Sequence, residues 1–190
     1  MREVISYSIF STDSTDSGLF LDSDSIIEEI KWWLMISNTI AVYWKNFQAE
    51  NPNYAGVSQP PNYYFCDNKE DADECAELAG KGIKQATSTS LWWFQINNAE
   101  LPAEGDLAII TSWDGQPKAI IKTTMIQIVK FSDITAEYAY IEGEGDKSLA
   151  YWNEVHWVYY TNEMKPYSES PTPEMKIVCE YFETIWPKNL

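Results

Sequence analysis

The sequence predicts an α+β domain in which helices surround a small mixed β-barrel. Helical and strand patterns follow one another without the regular alternation of a doubly wound sheet, and no internal repeat is present. Of the 190 residues, 45% are apolar and 15% are aromatic, which is enough for one domain with a buried core. We expect residues 1–22 to form a loosely held N-terminal arm and residues 23–190 to form a single domain that opens with a helix.

The first part of this domain is predicted to contain two helices. The first begins near Asp24 or Ser25, which are good capping residues, and ends at Asn51-Pro52. Asp67, with Glu70 three residues later, resembles a capping box and predicts the start of the second helix. That helix is expected to end at the glycines 80 and 82.

Strands are predicted to dominate the middle of the chain. Residues 86–96, 107–113 and 117–131 are rich in β-branched, apolar and aromatic side chains, and the Asp114-Gly115 pair predicts a tight turn between the last two. We interpret the three segments as a meander.

Two helices and a strand are predicted to complete the domain. Asp133 is expected to open a short helix, and Ser148 a longer one that runs through Tyr160. The final strand is expected at residues 176–185, which are rich in Ile, Val, Tyr and Phe.

The formal net charge of −16 limits the class of ligand. Binding of long RNA or DNA depends on Lys and Arg neutralising phosphates, so a long polyanion is disfavoured and a small ligand with little negative charge is preferred. A basic lip, meaning a local group of lysines beside the binding site, remains an alternative, because charge can be segregated on a folded surface. Its candidate residues are Lys81, Lys84, Lys118 and Lys122.

Cysteine usage and hydropathy predict a cytoplasmic protein. The three cysteines, Cys66, Cys75 and Cys179, are odd in number and lack paired metal-ligand spacing, so neither a disulfide framework nor a zinc site is expected. No segment is long and apolar enough to span a membrane, and the N-terminus lacks the pattern of a signal peptide. We expect no metal and no cofactor.

A small polar site is predicted where Lys84 and Thr87 follow the second helix. Glu142 precedes two glycines, 143 and 145, that allow the backbone to bend sharply and bring a carboxylate inward. Residues 84 and 87 would face opposite sides of a regular strand, so their convergence requires the turn to persist through Lys84 or a nearby bulge. A ligand-binding role, a catalytic role and a structural Lys84–Glu142 ion pair all remain open.

Aromatic residues and the single histidine offer further candidates. Trp92, Trp93 and Trp113 lie on predicted strands, where each could stack on a base or fill the core. Because Trp92 and Trp93 would point to opposite faces, one of that pair is a candidate for the ligand cleft. His156 is interpreted as a core or capping residue, and without a second histidine metal catalysis has little support.

These motifs together resemble the ASCH domain family, a branch of the PUA-like fold. The resemblance covers roughly Ile30 to the C-terminus and implies a β-barrel with a cleft roofed by helices that binds RNA or modified nucleosides. It is carried by Phe65-Cys66-Asp67, Ala72-Asp73-Glu74, the segment from Gly82 to Thr87, Leu101-Pro102, Gly105-Asp106, Phe131-Ser132-Asp133, the segment from Glu142 to Asp146, Ser148-Leu149, Trp152 and His156.

The resemblance also implies roles for three residues. One small relative hydrolyses N4-acetylcytidine through a lysine, a threonine and a glutamate, which correspond to Lys84, Thr87 and Glu142. In that chemistry a lysine with a lowered pKa would take the proton of Thr87, and Glu142 would orient the lysine or the substrate amide. We therefore expect a protein that binds a nucleoside, a nucleotide or an exposed RNA base. The alternatives are an amidohydrolase of acylated nucleosides and a ribonuclease, an activity credited to another member.

Overall fold

The computed structural model describes residues 23–188, so the predicted arm at residues 1–22 lies outside the described residues. Three short 3-10 helices lie at Pro52–Tyr54, Phe131–Asp133 and Lys165–Tyr167. In chain order the other elements are α1 (Ser23–Glu50), β1 (Asn62–Tyr63), α2 (Lys69–Gly80), β2 (Ala86–Ser90), α3 (Leu91–Ile96), β3 (Leu107–Thr111), β4 (Pro117–Lys130), α4 (Ala136–Glu142), α5 (Leu149–Met164) and β5 (Lys176–Trp186).

The five strands form one open mixed sheet, and the predicted barrel is wrong. The strand order is β1-β3-β4-β5-β2, so β1 and β2 are the two edges. β1 is only two residues long and pairs in parallel with β3, whereas β2 pairs antiparallel with β5. Closure would require the two edge strands to pair with each other. The α+β class is confirmed.

Helices cover both faces of the sheet at the β3–β4 end. Ala108 and Ile110 of β3 pack against α2, and the intervening Ile109 packs against α1, as the alternation of a strand requires. On α1 the buried side chains are Ile40, Trp44 and Phe47. A third cluster packs α4 and α5 against β2 and β5, and it includes Tyr138, Trp152 and Tyr160.

The strand predicted at residues 86–96 is wrong in its second half. β2 ends at Ser90, whose hydroxyl accepts a hydrogen bond from the Trp93 N–H at 3.0 Å and caps α3. Trp92 and Trp93 are therefore helical, because a local cap outweighs the β-propensity of aromatic residues. Trp113 lies beyond the end of β3, in the turn that leads to β4.

The predicted meander is only half correct. β3 and β4 form the expected antiparallel hairpin around Asp114-Gly115, but β2 lies at the far edge of the sheet beside β5. The pairing with β5 is set by burial of the alternating residues of β2, a tertiary effect that local turn signals do not report.

Predicted helix boundaries agree closely with the structure. α2 is capped by Asn68, one residue after the expected Asp67, and α5 is capped by Ser148 as expected. The short helix starts later than predicted, because Thr135 rather than Asp133 caps α4. No helix in the described range 23–188 is both long and apolar enough to cross a membrane.

Candidate functional site

The glycine after α4 brings Glu142 against the segment that precedes β2. Gly143 ends α4 in the left-handed conformation, with φ of 81°, and a Cβ there would overlap the carbonyl oxygen of Ile83. The Gln85 N–H donates to the Ile141 carbonyl at 3.1 Å and fixes the same approach. Glu142 and Lys84, 58 residues apart in sequence, are thereby placed side by side.

Lys84 lies between two carboxylates inside the protein. Its Nζ is 3.4 Å from Glu142 Oε1 and donates a second, shorter hydrogen bond to Glu144 Oε1. The side chains of Lys84 and Glu142 are each 1% exposed, and that of Glu144 is 16% exposed. The Phe65 ring covers the ammonium, with Nζ 5.0 Å from the ring centroid. The predicted ion pair is therefore present, with Glu144 as a second partner.

The other groups around Glu142 also stabilise its ionised form. Its Oε2 accepts hydrogen bonds from Ser88 Oγ at 2.9 Å and from Trp152 Nε1. His156 Nε2 lies 3.6 Å from Glu142 Oε1, and the imidazole ring stacks on the Trp152 ring with centroids 4.1 Å apart. Three elements, β2, α4 and α5, thus converge on one carboxylate.

The charges of this cluster differ from those inferred from the sequence. Burial acts to lower the pKa of Lys84, but Glu144 and Glu142 outweigh burial and raise that pKa above its ordinary value. Burial acts to raise the pKa of Glu142, but Lys84 and His156 hold it at about 2. The pKa of His156 is raised, because the attraction of Glu142 exceeds the effect of burial. Lys84 therefore keeps its proton, contrary to the lowered pKa that a general base would need.

A cavity of about 520 Å³ lies beside this cluster, and we refer to it as the cavity. Its wall combines aromatic rings with acidic groups, and none of the described residues that line it is a lysine or an arginine. The aromatic residues are Tyr63, Tyr64, Phe65, Trp93, Phe94, Tyr151 and Tyr159, and the acidic ones are Asp67, Asp71, Glu74, Glu142, Glu144, Glu154, Glu163 and Glu180.

The structure brings only part of the sequence-predicted site to the cavity. Thr87 and Glu142 line the wall, whereas Lys84 lies behind it. Within residues 23–188 the hydrogen bonds of the Lys84 ammonium go to Glu142 and Glu144, not to the Thr87 hydroxyl. Trp93 lines the cavity, but Trp92 packs edge-on against Tyr167 outside it.

Sequence reasoning did not single out Glu180 and Glu163, two of the carboxylates in the cavity wall. Glu180 lies directly opposite Thr87 in the β2–β5 pairing, is buried, and accepts a hydrogen bond from Thr123 Oγ1 at 2.5 Å. The sequence feature that could have identified Glu180 is a charged residue within the largely apolar strand β5. Glu163 accepts a hydrogen bond from Ser90 at 2.7 Å, and burial raises the pKa of Glu163 to about 7.

The interpretation of His156 as a core or capping residue also needs refinement. His156 is buried, as a core residue should be, but it also lines the cavity and contacts Glu142. Glu144 belongs to the buried cluster, while Asp146 accepts a hydrogen bond from the Ser148 N–H near the start of α5. No group of three or more potential metal ligands was found among the described residues.

The domain has an α+β fold in which helices cover an open sheet. It holds a buried lysine–carboxylate cluster beside an aromatic cavity. A family model of the ASCH domain matches residues 62–186, and the chain belongs to the ASCH domain family. The family is generally an RNA-binding, PUA-like fold. α1 lies outside the matched region, although it packs on β3 and β4.

Two solved structures support this assignment. The crystal structure of an ASCH domain from Lactobacillus crispatus has a TM-score of 0.72 and 27% sequence identity, and the match covers 77% of this chain and 94% of that one. A protein from Enterococcus faecalis has a TM-score of 0.70 and 30% identity, over 78% of this chain and 88% of that one. No curated protein matches the chain.

Proposed function

We propose that the cavity binds a nucleoside or an exposed RNA base. The observation that carries this proposal is a cavity of about 520 Å³ whose aromatic wall meets the Lys84–Glu142 cluster. Aromatic rings stack on bases of any sequence, and a few fixed polar groups orient the base. The volume lies within the range of about 300–1,000 Å³ that is usual for small-ligand sites.

The charge of the wall favours a ligand without phosphate at this position. Eight acidic side chains line the wall, and the candidate basic lip does not line it. Lys118, one of that set, instead pairs with Glu77 at 2.7 Å. A phosphate inside the cavity would meet these carboxylates, and among the described residues that line the cavity the one basic side chain is the buried His156. We therefore rank nucleosides and single exposed bases above nucleotides and long polyanions.

The two neighbouring tryptophans of α3 provide a matched test of base binding. We expect Trp93→Ala to weaken nucleoside binding about tenfold or more, because stacking contributes about 1–3 kcal/mol per base. Trp92→Ala should leave affinity unchanged, since Trp92 contacts Tyr167 outside the cavity. Titration calorimetry with cytidine, uridine, adenosine and guanosine, each compared with its 5′-monophosphate, measures both effects.

Three results of that titration would count against the proposal. Absence of binding to all four nucleosides and their monophosphates would remove it. Equal loss in Trp92→Ala and Trp93→Ala would show that the cavity is not where the base binds. Tighter binding of the monophosphates would overturn the ranking by charge.

Hydrolysis of an acylated nucleoside is the second candidate function. The observation that favours it is the cross-strand placement of Thr87 opposite Glu180, both in the wall of the cavity. Side chains at such opposed positions lie about 5 Å apart at Cβ. Ribonuclease activity has less support, because its polyanionic substrate would have to approach an acidic wall.

The geometry suggests a distribution of roles in such a hydrolysis. Thr87 Oγ1 would attack the acyl carbon and lose its proton to the Glu180 carboxylate, and the amine would leave with that proton. Water would then release the acyl group from Thr87. Because Lys84 stays protonated, its role would be to hold Glu142 and Glu144 in place rather than to act as the base.

Turnover of N4-acetylcytidine tests this second candidate. We expect Thr87→Ala to reduce the rate at least about 100-fold, because the variant lacks the hydroxyl that attacks the acyl carbon and passes its proton to Glu180. Thr89→Ala is the control, since Thr89 lies on the same strand and also lines the cavity. Chromatographic detection of cytidine provides the readout. Full activity in Thr87→Ala would exclude its nucleophilic role, and no turnover by the wild type would leave binding alone.

A further inference from the structure

Two free thiols face each other in the wall of the cavity. The sulfur atoms of Cys66 and Cys75 are 3.6 Å apart, and both residues line the cavity. Cys66 is half-buried in the loop before α2, whereas Cys75 is buried on α2 itself. A small molecule in the cavity can therefore reach the Cys66 sulfur directly.

The thiol pair is connected to the charged cluster through Glu144. Cys75 Sγ donates a hydrogen bond to Glu144 Oε1 at 3.4 Å, and the same oxygen accepts from the Lys84 ammonium. Any reaction that removes the hydrogen from Cys75 takes away one of these two donors. The chemistry of the thiols is thus coupled to the residues that hold Lys84 and Glu142.

We propose that Cys66 and Cys75 form a reversible disulfide in the cavity wall by exchange with a low-molecular-weight disulfide. The third cysteine, Cys179, is buried on β5 and does not line the cavity. The site does not depend on the identity of the ligand that the cavity binds. Transient disulfides of this kind occur in reducing compartments as redox-sensing devices.

The exchange proceeds in two balanced steps. The Cys66 thiolate attacks one sulfur of the small disulfide, forming a mixed disulfide and releasing one small thiolate, which takes up the Cys66 proton. The Cys75 sulfur then attacks Cys66 Sγ and releases the second small thiol. The Cys75 proton passes toward Glu144 and then to that leaving thiolate. The protein loses two protons and two electrons, equivalent to two hydrogen atoms, and the small disulfide is reduced to two thiols.

The order of attack follows from the surroundings of each sulfur. The hydrogen bond with Cys66 and burial both raise the pKa of the Cys75 thiol, so Cys75 is a poor first nucleophile. Cys66 is the more accessible of the two. The sulfurs must move from 3.6 Å to about 2 Å apart. We expect the Cys66 loop to supply this movement, since Cys75 is held in a helix.

Oxidised glutathione and peptide mapping test the proposal on the full chain. We expect treated wild-type protein to lose the mass of two hydrogen atoms and to yield a proteolytic peptide in which Cys66 is linked to Cys75. Dithiothreitol should reverse the link. Cys66→Ser and Cys75→Ser should each abolish it, and Cys179→Ser should retain it.

Two outcomes would overturn the proposal. One is a wild-type protein that carries only glutathione adducts, without the linked peptide. The other is a link that includes Cys179. Both are read from wild-type protein, so a variant that fails to fold does not obscure the result.

Discussion

Replacing Lys84 by Met is expected to lower the free energy of unfolding by about 3–5 kcal/mol, the usual cost of breaking a buried ion pair. The variant keeps an unbranched side chain of comparable length but leaves the Glu142 and Glu144 carboxylates without the ammonium between them. Of the residues within 23–188, His156 would then be the one that offers Glu142 a positive charge nearby. Urea denaturation of both proteins measures this difference in unfolding free energy. The unfolding free energy should depend on urea concentration with the same slope in both.

Lys118→Met is the matched control for this prediction. Lys118 pairs with Glu77 at 2.7 Å, but the two side chains are 36% and 51% exposed, so the change should stay below about 1 kcal/mol. Adding Glu142→Gln to Lys84→Met should recover part of the loss, because it removes one stranded charge. Equal losses of unfolding free energy in Lys84→Met and Lys118→Met would mean that burial does not strengthen the ion pairs of Lys84.

The pairing of Lys84 with Glu142 was accessible from the sequence because both residues stand within short, distinctive segments. The glycines at 143 and 145 predicted a sharp bend, and the resemblance to ASCH domains associated that bend with Lys84. Gly143 does adopt the left-handed conformation, and a side chain there would collide with the neighbouring segment. The need for glycine at a sharp bend can be recognised in the sequence, and it identified the position of Glu142 beside Lys84.

The remaining members of the site depend on tertiary pairing. Glu180 reaches Thr87 only because β5, the last strand, pairs with β2. Trp152 and His156 reach Glu142 because successive turns of α5 pack against α4 and β2. No local pattern specifies which distant strand or helix becomes a neighbour. These contacts therefore had to come from the structure.

The incorrect barrel and the incorrect strand at residues 86–96 have different origins, although both involve β2. Runs such as Leu91-Trp92-Trp93-Phe94 have strong β-propensity, and the hydroxyl of Ser90 nevertheless starts a helix there. The early end of β2 shortens that edge of the sheet, and the opposite edge, β1, has two residues. The cap at one residue therefore makes residues 91–96 helical rather than extended. The pairing of distant strands leaves the sheet open.

Glu142→Gln should remove much of the acid sensitivity of the fold. The pKa of Glu142 is about 2 in the folded protein, against an ordinary value of 4.5. Because the folded pKa is depressed, the stability due to ionised Glu142 is present above pH 4.5 and is lost as the pH falls toward 2. The shift corresponds to about 3 kcal/mol at neutral pH. Wild type should exceed Glu142→Gln by that amount at pH 7.

The stability gap, meaning the difference in the free energy of unfolding between wild type and Glu142→Gln, should therefore decrease as the pH is lowered. Near pH 3.5 it should already have narrowed by about 1 kcal/mol, because the unfolded chain binds a proton there and the folded chain does not. Glu77→Gln removes an exposed carboxylate whose pKa is also lowered, and its gap should stay below about 1 kcal/mol throughout. Urea denaturation at several pH values between 7 and 3.5 measures both gaps. A gap for Glu142→Gln that stays constant over this range would mean that the pKa of Glu142 is the same in the folded and the unfolded chain, so that Lys84 does not favour its ionised form.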